Sequence, residues 1–279
     1  MFLTEFYSNL RSSFSYIKYR DFIKGNEKFK DSEKGNSCFI IGSGPSLLKH
    51  DLSKIQNTSI ITINNLYDYN GDILNGIHKN NKSYHIVAPI HPPQKSEVWV
   101  TWLKDMEEKL PINSSLFLGL NVYRHNVLEL SKEHGIFLNR NINWFFSGVE
   151  FNPSKANIKH ADFSGKIYKA EAGSVYALML AAYLGFDNIY LLGMDHDYFL
   201  YDNEEDMRVY KTSKHEGDGI YSQFDSDFYT EELFRQYKIF LKYHAIKKLT
   251  KSNIYNCTEG GILKVFKRLR FADALNKKN

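Results

Sequence analysis

The sequence predicts an α/β protein built on a doubly wound, mostly parallel sheet with an irregular lid segment. Short, wholly apolar runs recur along it, as strands buried on both faces of a parallel sheet require. Between them lie segments whose apolar residues repeat at helical spacing, the alternation from which such sheets are wound. Two of the runs also stop at glycine turns, which is where open α/β sheets hold their ligands. The runs are CFII at 38–41, SIITI at 59–63, YHIVA at 84–88, SLFLGL at 115–120 and NIYLL at 188–192.

Before the first strand, residues 1–36 form an N-terminal helical extension and linker. Phe2, Phe6, Leu10, Phe14 and Ile17 sit near helical spacing with polar residues between them, which predicts an amphipathic helix or helix pair. Such a stripe is expected to bury itself against the rest of the chain, the alternative being a bilayer surface. KGNEKFKDSEKGN, polar and punctuated by glycine, reads as a linker. Residues 37–279 form one Rossmann-like domain. Within it Val98, Trp102, Met106 and Leu110 align on a helix, with Ser96 as cap and Glu97 in the first turn. AGSVYALMLAAYLGF places Val175, Leu178, Met179 and Ala182 on one helical face and ends at Gly185. A third helix runs from about Thr230 to Leu249, with Leu233, Tyr237, Phe240, Leu241 and His244 in line. Residues 198–228 are acidic, glycine-containing and aperiodic, as functional lids and disordered segments are.

A chain of 279 residues with 43% hydrophobic content can build a packed core, which excludes disorder as its main state. No run reaches the roughly 18 to 20 apolar residues of a membrane-spanning helix. The balance of 36 basic against 32 acidic side chains, a net +4, is far from the dense basic stripe of a nucleic-acid binder, so no nucleic-acid partner is expected. The small excess gathers near the ends, in KVFKRLR and in Arg11, Lys18, Arg20 and Lys24, where it suits either solvent or an anionic surface. Cys38 and Cys257 cannot make a disulfide framework or, by themselves, a zinc site. MFLTEFYSNLRSSF lacks the apolar core and small-residue cleavage site of a secretory signal. The expectation is a cytoplasmic protein, with peripheral contact at the inner membrane left open. The aromatic content of 15% would supply a homo-oligomeric interface without locating one.

Four places carry chemistry. In CFIIGSGPSL, residues 38–47, a buried strand runs into Gly42, Ser43, Gly44, Pro45 and Ser46, so backbone N–H groups approach an anion at a helix start. Leu47 replaces the third glycine of a dinucleotide fingerprint, and no GK[ST] follows, which disfavours ordinary NAD binding and P-loop chemistry. The second strand delivers Asn64 to the same edge, to bond a base or ribose or simply to form a turn. Gly173 and Ser174 open a helix whose N-terminus can receive a phosphate or carboxylate, and the next strand delivers Asp195, His196, Asp197 and Tyr198. Asp195 and Asp197 could hold Mg²⁺, or one could orient a ligand hydroxyl, or Asp195 could cap the following turn. His215, in the lid segment, has the chemistry of a general base. NIYNCTEGGIL, residues 253–263, runs a short strand into Thr258, Glu259, Gly260 and Gly261, either completing a nucleotide pocket or closing the fold.

IIGSGPSL, INN, GSVYALMLAAYLGFDNIYLLGMDHDYF and NCTEGGILKVF, taken in this order over about residues 37–270, resemble a broad superfamily. It joins the bacterial sialyltransferases of glycosyltransferase family 42 with the 6-hydroxymethylpterin diphosphokinase-like proteins, also called domain of unknown function 115. The sialyltransferase side of the resemblance implies that Gly42, Ser43, Gly44, Ser46 and Asn64 hold a CMP-activated sugar. It implies further that Gly173 and Ser174 help bind the donor, Tyr198 its phosphate, and that His215 deprotonates the acceptor. Ser43 stands where those enzymes have asparagine, and Ala170 and Glu171 stand where they have an arginine, which points away from sialic acid itself.

The expected activity is therefore transfer of a sugar, of an acidic nonulosonate type, from a CMP donor to a glycan acceptor of lipopolysaccharide or capsule. His215, Tyr198 and Asp195 are the expected catalytic residues. Gly42, Ser43, Gly44, Ser46, Asn64, Gly173, Ser174, Thr258 and Gly260 are the expected nucleotide contacts. No metal or cofactor is required by that chemistry. The alternatives are a diphosphokinase, with Asp195 and Asp197 on Mg²⁺ and ATP as substrate, and an inactive nucleotide-sugar or glycan-assembly binding protein.

Overall fold

The computed structural model describes residues 2–69, 71–91, 95–123, 125–201, 204–210 and 226–277. The five apolar runs are strands: β1 (Ser37–Ile41), β2 (Ser59–Ile63), β3 (Ser83–Val87) and β4 (Ser115–Leu120), with Asn188–Leu192 as β7. Between β4 and β7 lie β5 (Ile142–Val149) and β6 (Lys166–Tyr168), and after β7 come β8 (Asn253–Asn256) and the two-residue β9 (Lys267–Arg268). They form one sheet in the order β6-β5-β4-β3-β2-β1-β7-β8-β9 with every pairing parallel. In the middle of this sheet Ile40 lies between Ile61 and Leu191.

Alternation along β1 divides the core. Cys38 and Ile40 face α5 (Gly173–Leu184) and α6 (Ser226–Leu249), together with Val175, Leu178, Met179, Ile239 and Tyr243. Phe39 and Ile41 point to the other side, where Leu74 of α2 (Gly71–Asn80) and Ala274 of α7 (Phe271–Asn276) cover them. Farther along that side, Trp102 and Met106 of α3 (Ser96–Lys109) and Leu128 of α4 (Val127–His134) pack on Val87, Leu116 and Leu118. Helices on both faces of a parallel sheet make the doubly wound fold. Helix α5 is buried nearly all round, as an apolar helix clamped between sheet and α6 must be. It ends as expected at Gly185, whose φ of +85° suits glycine. Ser96 is the first residue of α3 rather than its cap; Lys95 holds the cap position without a side-chain bond.

Two helices turn a different face inward from the one their hydropathy marks. Helix α1 (Phe2–Lys24) packs on β5 through Ser12, Tyr16, Tyr19 and Ile23, with Tyr16 edge-on to Phe146 at 5.8 Å. The Ser12 hydroxyl donates to Gly148 O at 2.7 Å, a close approach that the absent side chain of Gly148 permits. Leu10, Phe14 and Ile17 consequently look outward, Phe14 being 71% exposed. In α6 the inward face is Glu232, Gln236, Ile239, Tyr243 and Ile246, whereas Leu233 and Tyr237 are exposed. Its first inward turns are polar because Gln236 bonds both Glu232 and the buried His196. The segment expected as a linker holds two buried polar anchors. Asn26 donates to Trp144 O and Phe163 O, and the Glu33 carboxylate accepts from the Tyr84 hydroxyl at 2.5 Å and pairs with Lys82. No described helix is long and apolar enough to cross a membrane.

Candidate functional site

Strand β1 starts the winding toward β6, and β7 starts it the other way, so a crevice opens over the C-terminal ends of this pair. A cavity of about 410 Å³ lies there, a size that suits a small-molecule ligand. Gly42 and Ser43 after β1, Asn64 after β2, Gly173 and Ser174 at the start of α5, and Tyr198 after β7 line it.

The glycine turn is locked backbone to backbone against the end of β7. Gly42 N donates to Leu192 O at 2.8 Å and Gly44 N to Gly193 O at 3.0 Å. A Cβ on Gly42 would stand 2.5 Å from Gly193 O, and one on Gly44 would run into the Asp195 carboxylate. That carboxylate accepts from the Ser46 hydroxyl at 2.8 Å. Gly44, Ser46 and Asp195 therefore interlock beside the cavity rather than line it. Thr258 and Gly260 brace the same corner: the Thr258 hydroxyl accepts from Met194 N at 3.0 Å, and Ile262 N donates to Asp195 O at 2.9 Å. Arg268 ties this turn down through Thr258 O and Gly260 O. Burial pushes the Asp195 carboxyl up to about 6 despite the Ser46 bond, and raises Asp197 as well.

Asn64 adopts φ +47° and carries its side chain over the start of α5. A Cβ at Gly173 would lie 2.7 Å from Asn64 Nδ2, so the bare glycine is what lets Asn64 reach this position. Asn64 Oδ1 accepts from Ala88 N at 3.4 Å. Beside it the Ser174 hydroxyl lies 2.6 Å from the Tyr243 hydroxyl, which lies 3.0 Å from His196 Nε2. His196 Nδ1 is 2.9 Å from Gln236 Oε1, and burial holds this imidazole down at about 4.

Several lining residues escaped the sequence reading. Val209 N donates to Ser43 O at 2.9 Å, docking the first part of the expected lid on the glycine turn and bringing Arg208 and Tyr210 to the cavity. Arg208 donates to the Tyr210 hydroxyl at 3.2 Å, and its guanidinium carbon lies 5.9 Å from the Tyr198 ring centroid. A guanidinium and two phenols thus share one corner, a grouping that can hold a phosphate. Nothing periodic in residues 204–210 signals this. Lys169 arrives after β6, a strand too short for pattern to disclose, followed by Glu171, which the sequence marked only as standing in an arginine's place, and Arg235 comes from α6. His215 lies outside the described residues. Among the described residues no three His, Cys, Asp or Glu side chains come together as a metal would require.

Known proteins bear on this architecture in three ways. The fold is similar to that of sialyltransferase CstII from Campylobacter jejuni in complex with the substrate analogue CMP-3FNeuAc, at 16% identity and a TM-score of 0.42 over 84% of this chain and 85% of that one. It is likewise similar to the monofunctional α-2,3-sialyltransferase Cst-I from Campylobacter jejuni, at 16% identity and a TM-score of 0.42 over 82% of this chain and 78% of that one. No curated protein sequence matches the chain. The profile of the family described as 6-hydroxymethylpterin diphosphokinase MptE-like matches residues 6–199, which takes in the extension, the glycine turn, α5 and the strand end at Tyr198. With most of its length so matched, the chain belongs to the 6-hydroxymethylpterin diphosphokinase MptE-like family.

Proposed function

We propose that the protein is a glycosyltransferase that moves a sugar, of an acidic nonulosonate type, from a CMP-activated donor to a surface-glycan acceptor. The observation that carries this reading is the cavity itself, with the corner of Tyr198, Arg208 and Tyr210 set against the Gly42–Ser43 turn. The nucleotide would lie over the glycine turn and Asn64, its phosphate at that corner, and the sugar over the start of α5. As the glycosidic bond breaks, negative charge gathers on the departing phosphate, where the Tyr198 hydroxyl and Arg208 would stabilise it. The acceptor hydroxyl loses its proton to a base, the role proposed for His215. Asp195 acts here by holding the turn, through Ser46, in the shape that receives the nucleotide.

The family description favours a second reading, diphosphoryl transfer from ATP with Mg²⁺. The two carboxylates do not fit a phosphate-bound ion as they stand, since Asp195 is engaged by Ser46 and neither lines the cavity. Calorimetric titration with CMP and with ATP, each with and without Mg²⁺, separates the two. The expected result is CMP binding that needs no metal, and slowed sugar transfer in His215→Ala. ATP binding that appears only with Mg²⁺ and fails in Asp195→Asn would replace the glycosyltransferase reading.

A further inference from the structure

The cavity extends away from the glycine turn to a second end over β3 and β4, where Val87, Pro89, Trp99, Trp102, Val122 and Tyr123 line it. In the sheet order these two strands stand two and three places from β1, roughly 10 to 14 Å away at ordinary strand spacing. Helix α3 brings Trp99 and Trp102, only 9% and 7% exposed, packed at 81° with their ring centroids 4.4 Å apart. Two rings at right angles make a corner rather than a slot, so this floor suits a puckered ring better than a flat heterocycle, which needs a parallel face.

Tyr123, 39% exposed, forms the rim, and polar groups hold it there. Asn121 Nδ2 donates to Ile90 O at 2.6 Å, and Asn121 Oδ1 accepts from Tyr123 N at 3.0 Å, so one amide ties the loop after β4 to the loop after β3. Arg11 of α1 donates to Val122 O at 3.3 Å, and its guanidinium carbon stands over the Tyr123 ring, 5.8 Å from the centroid. Among the described lining residues the lysine, arginine and glutamate side chains come from elsewhere: Lys169 and Glu171 after β6, Arg208 from residues 204–210 and Arg235 from α6. The β3–β4 end instead offers aromatic and aliphatic surface, with the His91 imidazole and the Tyr123 hydroxyl as polar groups. A phosphate or carboxylate buried against such surface would lack a counter-charge. The C–H face of a neutral pyranose, slightly positive, meets the negative face of an aromatic ring favourably. We infer that the β3–β4 end of the cavity is a subsite for a neutral pyranose ring, stacked on Tyr123 above the Trp99–Trp102 floor, with Arg11 as a positioning residue for Tyr123. That this ring belongs to the acceptor rests on the proposed function; the accepting sugar is then a neutral one.

Amide NMR of the ligand-free protein tests the subsite with methyl glucoside, methyl galactoside and methyl mannoside, and separately with glucuronate and with CMP. At least one of the three glycosides is expected to shift Val122 and Tyr123 and to leave Gly42 and Ser43 in place. Silence from all three, or tighter binding of glucuronate at Val122 and Tyr123, would overturn the subsite. CMP is expected to move Gly42 and Ser43; if it moves Val122 and Tyr123 as well, that end belongs to the nucleobase and the inference fails. Tyr123→Phe, which keeps the ring, should retain the glycoside affinity, whereas Tyr123→Ala should lose about three- to tenfold. Equal loss in both would mean that the hydroxyl rather than the ring binds. Arg11→Ala, shown folded by its melting curve, should weaken the glycoside about two- to fivefold and leave CMP affinity unchanged. An unchanged glycoside affinity, or a parallel loss of CMP, would overturn the positioning role. A protein that binds a glycoside but never CMP loses the proposed function and keeps the subsite, and one that binds CMP but no glycoside does the reverse.

Discussion

At the residue scale the site depends on glycines that face side chains rather than on glycine flexibility alone. Gly44 and Gly173 have no φ in the left-handed region, yet each leaves room for a functional partner, the Asp195 carboxylate and the Asn64 amide respectively. Their substitution should have different consequences. Gly44→Ala forces Asp195 off Ser46 and strands a buried carboxyl, so it is expected to destabilise the protein by about 1–3 kcal/mol. Gly173→Ala meets only the end of an Asn64 side chain, which can swing away. Thermal unfolding should shift little there while CMP affinity falls about tenfold or more, the equivalent of roughly one hydrogen bond to a polar ligand. Equal damage to stability by both substitutions would refute this division. The sequence marked Gly42, Gly44 and Gly173 by their place after strands and before a helix. That Asp195 would be spent on Ser46 required the two loops to be seen together.

At the element scale, α1 and α6 show that hydropathy records burial only when the partner surface is apolar. The inward face of α1 carries Ser12, and that of α6 carries Glu232 and Gln236, each bonded to a polar group on another turn or element. A pattern search scores those positions as outward and the exposed Leu10, Phe14, Leu233 and Tyr237 as inward. Paired substitutions in α1 check the assignment by chemical denaturation. Ile23→Ala removes a fully buried side chain and is expected to cost about 2–5 kcal/mol, whereas Phe14→Ser, at an exposed site, should stay within about 0.5 kcal/mol. The reverse ranking would mean that the stripe of Leu10, Phe14 and Ile17 is the packed face after all.

For the whole molecule, buried histidines tie stability to pH. His78, His85 and His196 lie inside the fold, where burial holds their imidazoles down at about 4, 3 and 4. Unfolding returns them to near 6.5, so between about pH 6.5 and 4 the unfolded chain binds protons that the folded chain refuses. Stability therefore falls as the pH falls through that window. Asp195 and Asp197, raised by burial, act in the opposite sense, because the fold keeps a carboxyl proton that the unfolded chain has released. The three rings act over the upper part of this window before the carboxyls oppose them, so the net effect is a loss of stability as the pH falls from about 6.5. Denaturant titrations across this range should show the loss, and replacing His85 by an uncharged residue should flatten it. A pH-independent midpoint would contradict the burial of these rings.

The sequence by itself determined the sheet and the ligand edge. Apolar runs such as CFII and IYLL suit central strands buried on both faces, and GSGPS and AGSV suit a turn or a helix start where they stand. It did not disclose β5, which opens on the mixed residues Ile142, Asn143 and Trp144, or β6 and β9, which are too short to show a period. Tertiary structure alone decided which side chains meet in the cavity. Arg208 and Tyr210 arrive because Val209 bonds to Ser43, and Lys242 reaches Glu171 because α6 crosses the start of α5. Such pairings join residues far apart in the chain, and their strength comes from directional polar bonds inside a low-dielectric fold, which leave no periodic trace in the sequence.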